Sequence, residues 1–480
     1  MATQIKFGSS GWRAVMAEEF TFANVTRAVQ GIARYVLSRK PNGSKIIVGR
    51  DPRFLGESFC GLATEILSSH RITPLLIAEP APTPAISYAV IQSKADGAIH
   101  FTASHNPPEY NGIKFSTSDG APALPEETKA IEAGITAFEA NPESTAAKGG
   151  SEFQSQPIDP RRMYLSHLRE IVDVDVIKKA GIKVAFDPMW GAARGYSDAF
   201  LREVGVTVAM VHDTRDVLFG DHAPEPDDPP LDGRLLDDPL LGDLRQKMRE
   251  MGAAIGIATD GDGGRFGIVD EDGTFMQPNY VLALLFDYLV ESRGWKNGVG
   301  KSVATTSLIN ALAENHKIEL HETPVGFKYV GELIKQDKIL IGGEESAGLS
   351  IRKHVPEKDG VLAGLLCCEM VARRGASLGK QLANLFAKVG SFFPLRENFR
   401  LTPGVKQKFT EKLRQEPSEF DGIKVAEVVR TDGLKLVLAD GSWVCYRLAG
   451  TEPMARIYSE TRSQEDLAKL SGAAKKWIFD

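Results

Sequence analysis

At 480 residues the chain is too long for one hydrophobic core, and at ~150 residues per domain its length suits about three domains. A composition 42% hydrophobic and 25% charged is that of a globular protein. The net charge of -6 argues against nucleic acid or an anionic membrane as the main partner, so an anionic ligand must be drawn in by a local basic cluster.

The amino-terminal run MATQIKFGSSGW has no basic stretch followed by an apolar one, so no secretory leader is expected. No apolar run approaches the ~18 residues of a membrane span. A cytoplasmic protein with no membrane partner is the expectation, and the Asn-x-Ser/Thr sites at Asn24 and Asn42 are taken as chance matches. Strand then alternates with helix, which favours α/β layers with largely parallel sheets. Residues 44–49 read as a buried strand, 57–69 as a helix, 74–78 as a strand, 83–93 as a helix, and 98–102 and 112–116 as strands. Between the last two lies TASHNPP. Ser104 follows a strand and precedes a turn forced by two prolines, so its hydroxyl is presented at the sheet edge as a nucleophile or phosphate carrier. His105 and Lys114 stand near enough in sequence to serve as proton donor and phosphate partner. By itself the segment also suits a Ser/Asn turn capped by a histidine.

Residues 141–157, small and polar, read as a linker. A second unit opens with a helix near residue 159, then strand 182–186, helix 196–204, strand 207–211 and helix 241–251. The proline-rich stretch 221–233 reads as ordered but irregular. Strand 254–258 delivers ATDGDGGRFGIVD, where Asp260 and Asp262 in a glycine-rich turn can aim two hard oxygens at one magnesium ion and Arg265 can balance charge. An EF-hand is excluded, because Arg265 takes the glycine position and strands flank the loop. A solvated hairpin turn remains open.

A third unit starts after GWKNGVGKS, residues 294–302. That run imitates a phosphate-binding P-loop but has one residue too many and precedes a strand instead of following one. Strand 302–305, a helix from 308 and strand 338–341 lead to GGEESAG, whose Glu344, Glu345 and Ser346 are poised for sugar hydroxyls or form a polar connecting turn. Cys367 and Cys368 lie in an apolar helical run, residues 362–371, and read as buried thiols. With Cys60 and Cys445 they make no CxxC spacing, which suits a reducing compartment. His321 and His354 lack a second metal-type ligand at useful spacing and read as surface or loop histidines. The last ~90 residues read as a strand meander with tight turns and a terminal helix, a separate α+β domain. There YRLAGTEPMAR, residues 446–456, offers an anion cradle from Arg447, the amides around Gly450 and the Thr451 hydroxyl, or a solvated loop.

In this order and separation the four loops resemble those of the alpha-D-phosphohexomutase superfamily, the phosphoglucomutases and phosphomannomutases. TASHNPPEYNGIKF is similar to that family's phosphoserine loop, DGDGGRFG to its metal loop, GGEESAG to its sugar-binding loop and RLAGTEPMARIYSE to its phosphate-binding loop. FGSSGWRA, VGRDPR and TPVGFKYV fit as well, so the resemblance spans essentially the whole chain. It implies a heart-shaped four-domain monomer, or weak homodimer, around a central cleft. Three similar α/β domains with mixed sheets would cover residues 1–155, 156–275 and 276–385, and an α+β domain residues 386–480. It further implies conversion of hexose 1-phosphate to hexose 6-phosphate, glucose before mannose, through phosphorylated Ser104 and a hexose 1,6-bisphosphate. Mg2+ would sit at Ser104, Asp260 and Asp262. Lys114 and His105 would move the hydroxyl proton, and Arg13 and Arg265 would support the transferring phosphate. Glu344, Ser346 and Lys328 would hold the sugar, and Arg447, Gly450, Thr451 and Arg456 the other phosphate.

Two positions depart from the pattern. Gly264 replaces the third aspartate of the metal loop, and Ala449 a serine of the phosphate loop. The first loss removes an anionic ligand, which a water can replace on magnesium; the second removes a hydroxyl worth ~1 kcal/mol. A catalytically weakened phosphosugar-binding protein, a bisphosphate synthase and a phosphoglucosamine mutase are the alternatives. Glu345, where amino-sugar enzymes look more like GEQS, favours glucose or mannose phosphates.

Overall fold

The computed structural model describes residues 4–8, 10–141, 154–226, 239–448 and 454–479. Among these residues four sheets succeed one another along the chain. In the first, Lys45–Arg50 pairs in parallel with Thr73–Leu76 and Gly97–Phe101, and Tyr110–Thr117 returns antiparallel beside Gly97–Phe101. In the second, Lys183–Asp187 pairs in parallel with Thr207–Met210 and Ile255–Thr259, and Phe266–Asp270 returns antiparallel. In the third, Gly298–Ser302 pairs in parallel with Leu320–Thr323 and Ile339–Glu344, and Gly348–Ile351 returns antiparallel. The sheets are therefore mixed instead of largely parallel, and the same step recurs three times. A parallel strand ends, the chain makes a short loop, and an antiparallel strand carries it back. These reversals hold Ser104, Asp260 with Asp262, and Glu344 with Ser346, at the carboxyl end of a parallel strand where open α/β sheets place their chemistry.

The central strands are buried on both faces, as their continuous apolar runs require; Ile46, Ile47 and Val48 have no exposed surface. Helices Phe22–Arg39, Pro125–Ala140 and Pro278–Arg293, which the sequence reading did not place, cover the sheets. The first is started by the Thr21 side chain, which accepts the Asn24 N–H. One apolar core runs from Ile47 of the first sheet through Phe186, Ile257 and Leu340 to Phe392. The fourth sheet, antiparallel throughout from Phe393–Arg400 to Glu419–Phe420, closes with helix Gln464–Phe479 on a core of its own around Phe409, Leu436, Tyr446 and Ile457.

All four cysteines are buried free thiols. Among the described residues no helix is long and apolar enough to cross a membrane. His354 corrects its surface reading: its side chain is fully buried, with Nε2 2.7 Å from Asp359 Oδ2 and Nδ1 3.0 Å from His167 Nε2. Asp359 also caps helix Gly360–Arg374, so the histidine secures a helix start. Most of the linker at 141–157, and the part of the proline-rich stretch from residue 227 on, lie outside the described residues.

Candidate active site

Ser104 is buried and sits in the left-handed region, φ +55°. A serine stays there only when its surroundings over-determine it. Its N–H donates to Thr102 Oγ1 at 2.8 Å, and the Thr102 hydroxyl donates to Asp51 Oδ2 at 2.5 Å. Arg53, with no exposed surface, fills the space behind the loop. Its Nε donates to Asp51 Oδ2 at 3.1 Å, Nη1 to the carbonyls of Pro107 and Tyr110, and Nη2 to those of Ser104 and Asn106, at 2.6–2.9 Å. A guanidinium suits this position because its fixed fork serves several acceptors at once.

The second domain's acidic loop meets this serine through the backbone. A Cβ on Gly261 would lie 2.6 Å from the Ser104 carbonyl oxygen, so only glycine permits the approach. The Ser104 hydroxyl donates to Asp260 Oδ2 at 2.6 Å, and Asp260 Oδ1 accepts the Arg265 N–H at 2.9 Å. Asp262 Oδ2 accepts from Lys114 Nζ and, at 2.7 Å, from the Thr83 hydroxyl. Since Thr83 spends its proton on Asp262, His100 Nδ1, 2.9 Å away, must be the donor to Thr83 Oγ1, which fixes the histidine's tautomer. The two carboxylates are fully buried side by side and titrate apart. Burial, then the charge of Asp262, pushes the Asp260 carboxyl up to about 7. Burial would raise Asp262 too, but Lys114 and His100 hold it well below the usual range.

Asp262 Oδ1 is buried with no hydrogen-bond partner. An orphaned anionic oxygen beside a second buried carboxylate and a hydroxyl is a donor set that fits a magnesium ion. Among the described residues no three acidic, histidine or cysteine side chains converge, consistent with Gly264 in the third position. A Cβ on Gly264 would stand 3.4 Å from Asp262 Oδ1 and 3.3 Å from Lys358 Cε.

Cations ring the pair. Arg13 Nη1 donates to Asn106 Oδ1 at 2.6 Å, and burial pushes its guanidinium down to about 10. Arg265 Nη1 pairs with Glu225 Oε2 at 2.5 Å. His105 is held well below 6.5 by burial and by Arg265, Arg13 and Lys358, so its imidazole is neutral, with a buried Nδ1 that has no hydrogen-bond partner. Lys358 is 8% exposed and makes no ion pair among the described residues. With Lys114, Lys328 and Glu357 it lines a cleft between the first and third domains.

In the third domain Glu344 is buried, and burial, then Glu345, raises its carboxyl. Its Oε1 accepts the Gly326 N–H at 2.7 Å, and Lys328 follows two residues on, its ammonium 5.4 Å from the Tyr329 ring centre. Ser346 is half-buried in the turn of the hairpin. In the fourth domain Arg447 is buried and pairs with Asp432 at 2.7 Å, and Arg456 stands opposite it on the neighbouring strand. Gly450, Thr451 and Ala449 lie outside the described residues. The structure thus brings Ser104, Asp260, Asp262, Lys114, His105, Arg13 and Arg265 together, with Glu344 and Lys328 on the third domain and Arg447 and Arg456 on the fourth. The sequence reading missed Arg53, Thr83, His100 and Lys358. VGRDPR carried the first, IHFTASHNPP carried His100 and HVPEKDG carried Lys358, each without a role for that residue, and Thr83 was read only as the start of a helix.

Four family models cover most of the chain: phosphoglucomutase/phosphomannomutase alpha/beta/alpha domain I at residues 4–141, domain II at 162–273, domain III at 277–389 and the C-terminal domain at 405–474. A phosphoglucomutase/phosphomannomutase of Thermococcus kodakarensis is 31% identical over 96% of this chain and 95% of its own. A probable phosphoglucosamine mutase of Methanosphaera stadtmanae is 28% identical over 98% of both chains. The crystal structure of a putative phosphomannomutase from Thermus thermophilus superposes with a TM-score of 0.82 at 32% identity, over 100% of both chains.

Proposed function

Since the chain belongs to the phosphoglucomutase/phosphomannomutase family and so is a phosphohexomutase, we propose that it interconverts glucose 1-phosphate and glucose 6-phosphate through phosphorylated Ser104 and glucose 1,6-bisphosphate. The observation that carries the reading is the meeting of Ser104 Oγ with Asp260 Oδ2 at 2.6 Å, two groups 156 residues apart in the chain. Asp260, Asp262 and the Ser104 oxygen would hold Mg2+, which when bound supplies positive charge against the oxygens of the transferring phosphoryl group.

The resident side chains do the rest. Arg447 and Arg456 anchor the phosphate that is not reacting, and Glu344, Ser346 and Lys328 hold the sugar. The free hydroxyl of the sugar then faces phosphoserine 104, whose equatorial oxygens Arg13 and Arg265 cover. The bond from phosphorus to Ser104 Oγ breaks as the bond to the sugar oxygen forms. The sugar's hydroxyl proton passes by way of neutral His105 and Lys114 to the departing serine oxygen. The bisphosphate turns round, and the reverse sequence returns the other phosphate to Ser104. That turn needs room, and we place the motion in the fourth domain, which has a core of its own and meets the third across the smaller cluster of Ala304, Trp443, Cys445 and Tyr458.

The test is a coupled assay of glucose 1-phosphate, mannose 1-phosphate and glucosamine 1-phosphate, with glucose 1,6-bisphosphate added and magnesium titrated. Glucose 1-phosphate should show the highest kcat/KM, and intact mass should find phosphate on the wild type but not on Ser104→Ala. Faster turnover of either other sugar refutes the substrate, and a phosphate that persists in Ser104→Ala refutes the serine.

A further inference from the structure

We infer that Asp432 is a positioning residue that ties the phosphate grip of the fourth domain to the sugar grip of the third. The inference rests on the reading of Arg447 as a phosphate ligand and Glu344 as a sugar ligand. Asp432 stands in the turn between strands Ile423–Val429 and Leu434–Leu438. A single oxygen, Oδ2, accepts from Arg447 Nη2 at 2.7 Å and from the main-chain N–H of Val325 at 3.0 Å. The first donor belongs to the fourth domain and the second to the third. The next N–H along, that of Gly326, donates to Glu344 Oε1 at 2.7 Å. Guanidinium, carboxylate, two successive amides and a second carboxylate make a continuous chain across the domain boundary.

The turn cannot slide along this chain. Gly433 has φ +85°, and a Cβ there would lie 2.1 Å from the Tyr446 carbonyl oxygen, so Asp432 is pressed against the strand that carries Arg447. Arg447 is 7% exposed and its buried Nε has no hydrogen-bond partner. Nη1 reaches only the Tyr458 hydroxyl, at 3.5 Å, so a donor remains for an anion while Nη2 is held. A carboxylate half-exposed at the rim keeps the guanidinium oriented before a phosphate arrives, and the same oxygen fixes where the loop behind Glu344 begins. Lys435, Trp443 and Glu460 also bond residues 303–307 of the third domain, but Asp432 is the group that joins Arg447 itself to the loop behind Glu344. It thereby tunes the separation between the two grips, which a hexose phosphate must match and a free phosphate need not.

Calorimetric titration of the full-length protein with glucose 1-phosphate and, separately, inorganic phosphate tests this. Asp432→Asn should weaken glucose 1-phosphate about tenfold and inorganic phosphate by no more than about threefold, and Glu344→Gln should cost less in the Asp432→Asn background than alone. Equal losses for both probes, or strictly independent effects in the double variant, overturn the coupling. Arg447→Gln reports on the underlying reading. If it leaves both affinities unchanged, Arg447 is no phosphate ligand, whatever Asp432→Asn does. Should thermal scans show Asp432→Asn unfolded, Asp432→Ser, which can accept the Val325 N–H but offers Arg447 no charge, carries the same readout.

Discussion

Replacing Arg53 with methionine keeps the bulk of the side chain and removes five hydrogen bonds, one to Asp51 and four to main-chain carbonyls between residues 104 and 110. Asp51 is 1% exposed, so its carboxylate would be left as an uncompensated buried charge. Breaking a buried pair from one side costs ~3–5 kcal/mol, and the stripped carbonyls can turn to water only by loosening the loop. The expected loss is about 4 kcal/mol, or a fall in Tm of roughly 10 °C for a unit of this size. Scanning calorimetry of Arg53→Met against the double variant Arg53→Met/Asp51→Asn separates the contributions. Removing the stranded charge should recover about 2 kcal/mol. Activity should be lost in both, because both lose the Arg53 bonds to the Ser104 and Asn106 carbonyls and hold the main chain of Ser104 only through its N–H to Thr102. A double variant no more stable than the single one, or a single variant within ~1 kcal/mol of wild type, would refute the account of Arg53 as the support of the serine loop.

Gly264→Asp should tighten magnesium binding about tenfold, ~1.4 kcal/mol, in equilibrium dialysis, since the new carboxylate starts beside the orphaned Asp262 oxygen; unchanged affinity would sink the missing-ligand argument. Lys358→Met should raise Tm while lowering kcat, because burial and the charges of Lys114 and Arg265 outweigh the attraction of Glu357 and Glu344 on its ammonium until an anionic substrate adds to it; a lower Tm counts against this. Burial pushes His100 down to about 3 and, helped by His354, His167 down to about 4. Between pH 6.5 and 4 these two histidines bind more protons unfolded than folded, so their contribution to stability rises with pH across that window, against the opposite sign of raised carboxyls such as that of Asp260. His167→Gln should therefore lower the slope of Tm against pH measured through it.

The chemistry-bearing loops were legible because each gathers its residues within a few positions, after a strand that ends in plain view. The strand returning from each loop was harder. An antiparallel strand buried on both faces has the same apolar run as a parallel one, so Phe266–Asp270 looks no different from Ile255–Thr259 until register is known. Helix Pro278–Arg293 hides for a related reason: every residue from Val281 to Leu289 is buried, which erases the amphipathic period. Arg53 and Lys358 act on loops far from them in sequence, where no local spacing announces the contact. His354 looks like any loop histidine until Asp359 turns back to meet it.

The hydrogen bonds of Arg53 stay within the first domain, although its guanidinium also lies 4.9 Å over the Phe219 ring of the second, and this has a consequence for the order of synthesis. Every acceptor it serves lies at or before residue 110, so the serine loop can take its final shape as soon as the first domain has left the ribosome. Asp260, which receives the serine's proton, is 156 residues further on, a delay of about 8 to 30 s at ~5–20 residues per second. Through that interval the nascent chain carries a finished nucleophile loop with nothing yet opposite it, kept in shape by one buried arginine.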